Sequence, residues 1–228
     1  MSAAPARNSK RWFWPVVIGG VAIVAVLAIV LGSRGGDGGN SGGTGSTGGG
    51  PVEVAKVVDV TGEALPEFET SVGDPAIGER APTLEGVDFS RAAVTVGGSS
   101  GEPQVVSFVA HWCPHCQREV PIIVSLARQG VFEGVGLSAV VTGTRQDAPN
   151  YPPSEWLSRE QWSGTILVDT AEGTAARAYG LTGYPLLTFI AADGSVAGRW
   201  SGEMEPADLQ ANVEALKAGR PLPMTLVR

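Results

Sequence analysis

The segment AHWCPHCQREVP, Ala110 to Pro121, holds both cysteines and both histidines of this 228-residue chain. Cys113 and Cys116 stand two residues apart. A disulfide at that spacing closes a very small ring, and the loop entropy it removes is correspondingly small, so a structural staple explains the pair poorly. Reversible thiol chemistry explains it better. No third cysteine exists in the chain, so the electrons for such chemistry must come from other molecules and return to them. Metal binding is the competing use. Zinc requires two further ligands, and His111 and His115 lie too near the cysteines in sequence to join both sulfurs easily. Cu(I) accepts fewer soft ligands, so a copper-delivery protein stays open as an alternative. The scarcity of methionine, with only Met204 and Met224 outside the N-terminus, counts against it. A binding module that has lost catalysis is a further alternative.

Such a pair needs elements to position it. QVVSFVA (Gln104–Ala110) has the length and β-branched content of a buried strand. HCQREVPIIVSLARQ (His115–Gln129) has helical spacing, with Pro121 inside it as an expected kink. Cys113 then falls at the helix start, where unpaired N–H groups and the helix dipole favour a thiolate. Cys116 lies one turn further on and is shielded by the helix. That asymmetry makes Cys113 the exposed nucleophile and Cys116 the resolving thiol. Pro114 suits the first helical turn, where its missing N–H costs nothing. His115 can carry a positive charge beside the pair. Trp112 is a packing residue able to cover the sulfur. His111 is expected at the surface next to the site.

Beyond this centre, strand and helix signals alternate. VGLSAVVTG (Val135–Gly143) reads as a second buried strand. Loop signals follow at Pro149, Pro152 and Pro153, and Ser154 stands in N-cap position before EWLSREQW. Trp156 and Trp162, at helical spacing, belong to core or rim. TILVD is a short strand, and AEGTAARAYG a helix ended by Gly180. LLTFIA (Leu186–Ala191) and VAGRW (Val196–Trp200), joined by ADGS, form a hairpin. EPADLQANVEALKAG closes the domain as a helix with Gly219 just beyond it. The pattern predicts an α/β domain whose central sheet carries helices on both sides.

The N-terminal part is of another kind. FWPVVIGGVAIVAVLAIVL, from Phe13 to Leu31, contains no charged residue. At a rise of about 1.5 Å per residue it can cross roughly 30 Å of hydrocarbon. Arg7, Lys10 and Arg11 precede it, Trp12 and Trp14 suit an interfacial belt, and Arg34 and Asp37 nearly cancel after it. The positive-inside bias puts the N-terminus in the cytoplasm and the remainder outside, in the cell envelope or beyond. A cleaved signal peptide would have a shorter apolar run and an Ala-x-Ala-like site; the best match, Val30-Leu31-Gly32, is poor. No cysteine follows the run to carry a lipid anchor. GSRGGDGGNSGGTGSTGGG then reads as a flexible coil, and Pro51 to Gly73 either pack as a short strand or extend the coil. The expected organisation is a cytoplasmic tail (1–11), a single transmembrane helix (12–32), a Gly-rich tether (33–75) and a globular domain (76–228). The net charge of -7 argues against nucleic acid as a partner.

With these elements in place, FVAHWCPHCQREVP resembles the active-site segment of the thioredoxin superfamily. TGYPLLTF, with Tyr184 and Pro185 before a strand, is similar to the superfamily's proline, usually cis, that faces the cysteines. The stretch PPSEWLSREQWSGTILVD resembles the insertion of TlpA/ResA-like membrane-anchored members, as IGERAPTLEGVDF resembles their opening. The resemblance covers about Ala76 to Gly219. It implies a thioredoxin-like fold, a central mixed sheet flanked by helices. It also implies thiol–disulfide exchange with protein thiols and disulfides outside the cytoplasm, a redox partner in the membrane or envelope, and no cofactor. Tyr184 would offer backbone atoms to a substrate chain. Two positions depart from the pattern. The buried acid that thioredoxin carries six residues before its nucleophile is Ser107 here, and the Pro-His dipeptide is that of DsbA-like oxidases.

Overall fold

The computed structural model describes residues 49–224. The expected cytoplasmic tail, the transmembrane helix and residues 33–48 of the Gly-rich tether lie outside the described residues. Among the described residues, no helix is long and apolar enough to cross a membrane.

The strand that leads to the cysteines is buried at every position. It is the fourth in chain order, β4 (Gln104–Val109). Helix α1 (Pro114–Arg128) follows directly. β5 (Gly136–Val141) and β6 (Thr165–Val168) run parallel to β4, whereas β7 (Leu186–Ile190) runs antiparallel to β4 and β8 (Val196–Ser201) antiparallel to β7. The result is a five-stranded mixed sheet of order β6-β5-β4-β7-β8, the thioredoxin-like arrangement that the resemblance implies. Within the stretch compared to a TlpA-type insertion lie α2 (Pro153–Glu160) and edge strand β6. Alternation along β4 divides the core. Val105 packs with Ile123 and Leu126 of α1 and with Leu209, Val213 and Leu216 of α4 (Pro206–Lys217). Val106 and Phe108 face the other way, toward Leu84, Val96 and Tyr179.

That second face differs from the expectation of helices on both sides. It is covered largely by an antiparallel sheet of β1 (Asp59–Thr61), β2 (Thr83–Val87) and β3 (Ala93–Gly97), together with the short α3 (Thr174–Ala178). Residues 51–75, assigned to the tether, are thereby corrected: Ala55, Val58, Leu65 and Phe68 are core residues. The physical reason is their apolar surface, which the sheet face would otherwise expose to water. A buried ion pair fixes the segment. Arg199 of β8 is fully buried; its Nη2 donates to Asp74 Oδ1 at 2.6 Å and its Nε to Asp74 Oδ2 at 2.8 Å. Its Nη1 donates to the carbonyls of Pro66 (2.8 Å) and Tyr179 (2.9 Å).

Three local expectations also change. Ser154 is not the N-cap of α2, which begins at Pro153 after Pro152. Instead Glu53 reaches across, and the backbone N–H and hydroxyl of Ser154 both donate to its carboxylate. This answers the helix's unpaired first-turn donors from a distant part of the chain. The helix read over AEGTAARAYG shortens to five residues, because Gly173 turns at φ +69° and the Asp169 carboxylate accepts from the Ala175 and Ala176 N–H groups. Helix α1 passes through Pro121 without a break.

Candidate active site

Cys113 is the residue at which strand becomes helix. Its backbone is extended (φ -75°, ψ 121°), Pro114 occupies the first helical turn, and its carbonyl accepts from the Gln117 N–H at 3.1 Å. No side chain caps this end and no acidic residue lies in the first turn, so the helix's positive end is left to the sulfur. Cys113 is less exposed than expected, at 5%. Its Sγ lies 3.7 Å from the carbonyl oxygen of Tyr184, and the Tyr184–Pro185 bond that follows is cis. The carbonyl that precedes Pro185 therefore faces the cysteine sulfur.

Cys116 has no exposure. Burial first, then the charge of Cys113 and a hydrogen bond to it, hold its thiol far above the ordinary range. Both cysteines are free thiols. Trp112 stands half-buried at the rim. Its Nε1 donates to the Gly143 carbonyl at 2.7 Å, its ring meets Tyr184 edge-on with centroids 5.6 Å apart, and the Arg145 guanidinium sits 5.7 Å above it.

The two histidines exchange the environments a surface-and-site reading gives them. His111 is not a surface residue; it is fully buried, with Tyr151 edge-on to its ring. Its Nδ1 lies 2.7 Å from the Pro149 carbonyl, and its Nε2 accepts from the Arg145 N–H at 3.1 Å. His115 is exposed, and its Nδ1 sits 2.6 Å from Glu203 Oε1. Arg118, one turn along, donates through Nε to both oxygens of the same carboxylate at 2.9 Å. Glu203 is thus held down near 2, chiefly by the Arg118 hydrogen bond. A positive charge at His115 therefore comes with a counter-charge that the sequence did not advertise.

A further acid was missed in sequence. Ser107 does stand where a buried acid was sought, with its hydroxyl buried and without a protein partner. Glu119 of α1 supplies the carboxyl instead. It is fully buried; Oε2 accepts from the Met204 N–H at 3.0 Å, and Oε1 has no protein partner. Burial, despite that hydrogen bond, raises it to about 7. Three residues after Cys116, it shares that cysteine's helix face, and its charge is among the influences that raise Cys116. The signal was present as a lone acid on the apolar side of a helix, between Cys116 and Ile123.

Comparison with known proteins agrees with this geometry. The family model described as Redoxin matches residues 61–216. Methylamine utilization protein MauD of Methylorubrum extorquens is 39% identical over 66 residues, covering 28% of this chain and 32% of its own. The chain spans less than half the length of the MauD relatives it matches. Thiol:disulfide interchange protein DsbE of Pseudomonas fluorescens is 25% identical over 149 residues, 64% of this chain and 77% of its own. The fold is shared with a thiol:disulfide interchange protein of Chlorobium tepidum, at a TM-score of 0.52 and 23% identity over 60% of this chain and 94% of that one.

Proposed function

The chain belongs to the Redoxin family, and we propose that it is a membrane-anchored, extracytoplasmic thiol–disulfide oxidoreductase acting on proteins. The observation that carries this reading is the position of Cys113. Cys113 is the N-cap residue of α1, whose first-turn N–H groups no side chain caps, and its sulfur lies against the Tyr184 carbonyl beside cis-Pro185. A second thiol lies one turn deeper. In one direction, the Cys113 thiolate attacks a partner disulfide, forming a mixed disulfide and releasing one partner thiolate. Cys116 loses its proton and attacks Cys113; the bond to the partner breaks, the second partner thiolate leaves, and the Cys113–Cys116 disulfide carries the two-electron change. The reverse sequence oxidises a partner dithiol. Glu119, with a free carboxylate oxygen inside the same helix face, is the group we assign to take and return the Cys116 proton.

The same reading keeps residues 12–32 as the membrane anchor and puts the redox domain outside, where disulfides persist. Support comes from the uncharged run, the Arg7, Lys10 and Arg11 cluster before it, and the flanking tryptophans.

Two experiments test the proposal. The variant Cys116→Ala should accumulate mixed disulfides with envelope proteins that dithiothreitol releases, and Cys113→Ala should not. Trapping by Cys113→Ala alone would reverse the roles, and trapping by neither would remove the exchange reading. A reporter fused after Arg228 should be active only outside the cytoplasm, with the protein retained by membranes through a high-salt wash. Activity inside, or release as a shortened soluble form, would overturn the anchoring.

A further inference from the structure

Residues 143–150, between β5 and α2, form a wall beside the site, and three of their hydrogen bonds to the rest of the chain go to one residue that the exchange chemistry does not use. His111 Nδ1 faces a carbonyl, that of Pro149, at 2.7 Å. A carbonyl only accepts, so Nδ1 carries the hydrogen. His111 Nε2 faces an N–H, that of Arg145, at 3.1 Å. An N–H only donates, so Nε2 offers its lone pair. The ring is thereby committed to one neutral tautomer. The backbone carbonyl of His111 binds the same segment, accepting from Asn150 Nδ2 at 3.3 Å, and also accepts from Gln117 Nε2 at 2.9 Å.

The opposite end of the segment touches the active-site rim. The Gly143 carbonyl takes the Trp112 indole N–H, and Gly143 turns at φ +61°. A Cβ there would lie 2.6 Å from the Tyr184 hydroxyl, so the backbone can approach Tyr184 this closely only as glycine. Arg145 lies over the Trp112 ring. Movement of the segment therefore alters the surroundings of Trp112 and Tyr184, which flank Cys113.

We propose that His111 is a positioning residue: as the neutral Nδ1–H imidazole it fastens the 143–150 segment as one wall of the exchange site, and on protonation, while Nδ1–H keeps the Pro149 carbonyl, it releases the Arg145 end of that wall. The inference rests on the proposed exchange activity for its consequence, though not for its geometry. Protonation would aim an Nε2–H at the Arg145 N–H, setting two donors against each other, and would introduce a charge into a fully buried position. The surrounding charges do not rescue the cation. Arg145 opposes it. Glu53 favours it, but its carboxylate is engaged by Ser154. Asp147 pairs with Arg145, and Arg159 donates to Asn150 Oδ1 at 3.0 Å. Tyr151 offers only a ring edge, with centroids 6.0 Å apart. Burial is the leading reason that His111 is held below its ordinary 6.5.

The test uses the full-length chain in detergent. Nitrogen NMR of the His111 ring, the Arg145 amide and the Trp112 indole is followed between about pH 7.5 and about pH 4.5, a window that brackets a histidine titration. The expected result is an Nδ1–H ring at neutral pH, with the Arg145 and Trp112 signals moving in acid at the midpoint of His111. An Nε2–H ring, or rim signals that ignore the His111 midpoint, would overturn the proposal. A kinetic arm compares exchange with insulin, which must seat on the wall, against exchange with a small aromatic disulfide, which reads the thiol chemistry alone. Their rate ratio should fall several-fold in acid for the native chain. It should be flat with pH in His111→Gln, whose amide oxygen can accept from Arg145 but does not titrate. A His111→Gln ratio that keeps the native pH dependence sinks the idea. Absence of exchange with both substrates would instead remove the exchange activity, leaving the NMR result to decide the role of His111.

Discussion

Glu119→Gln should raise stability above neutral pH and slow the resolution of a mixed disulfide, and the two effects come from the same burial. In the folded chain this carboxyl is raised from 4.5 to about 7. At about 1.36 kcal/mol for each tenfold change, that is ~3 kcal/mol by pH 8. The folded form holds the proton more tightly than the unfolded form. The stabilisation is therefore complete below 4.5 and is lost as pH climbs through about 7. Glutamine stays neutral throughout. Its carbonyl can keep the Met204 N–H bond, but its amide nitrogen takes the place of an oxygen that has no protein partner. An unpaired buried amide costs ~1–3 kcal/mol. The net expectation is a gain of ~0–2 kcal/mol at about pH 8, turning to a loss of ~1–3 kcal/mol at about pH 4. Urea unfolding of both chains across this range measures it. In the same variant, Cys116 loses its nearby proton acceptor, and single-turnover resolution of a Cys113 mixed disulfide should slow roughly 100-fold near neutrality. Stability curves that stay parallel from acid to alkali would refute the buried ionisation, and an unchanged resolution rate would refute the proton-transfer role.

The exposed cluster gives a second prediction. Glu203→Gln removes the carboxylate shared by His115 and Arg118. It leaves Arg118, whose charge couples to Cys113, without its counter-ion. The reduced state should gain, and equilibration with glutathione should read a potential about 10–30 mV less negative; no shift, or a more negative value, contradicts the assignment. Arg199→Met strands a buried Asp74 and should cost ~3–5 kcal/mol, lowering Tm by about 10 °C or more. Adding Asp74→Leu to it should restore part of the loss, and a double variant less stable than the single one would show that the ion pair is not what holds residues 51–75.

The parts of the fold that sequence made legible are those whose signals are local. β4, β5 and β7 are short apolar runs buried on both faces, and α1 and α4 carry helical spacing between a proline at the start and small or turn residues after the end. The missing parts depend on distant partners. β1 is three residues long with every residue exposed, and it is a strand only because β2 lies beside it. The start of α2 is satisfied by Glu53, about a hundred residues earlier, so a local rule chose Ser154 as the cap and was wrong about how that residue is used. Residues 51–75 join the core through their apolar side chains and are pinned there by Arg199, and nothing in their own pattern announces a buried guanidinium waiting for Asp74.

At the site, the cysteines and Pro114 were legible from their spacing, and Tyr184–Pro185 through the resemblance of TGYPLLTF to a known pattern. Glu119 and His111 were not, because for each the informative fact is what surrounds the side chain. Ser107 removed the expected acid from the strand, yet the proton on Cys116 still needs an acceptor that water cannot easily reach; α1 supplies one from the next turn. The site therefore carries two sets of charges in different media. His115, Arg118 and Glu203 lie outside, where about 0.15 M salt screens beyond roughly 8 Å and their influence on Cys113 is weakened. Cys116 and Glu119 lie inside, where screening is slight. If that division is correct, raising ionic strength should shrink the Glu203→Gln change in potential toward zero while leaving the Glu119→Gln change in resolution rate intact. Equal salt sensitivity for the two would mean that the buried pair communicates with solvent, and that burial is not what separates potential from proton transfer in this site.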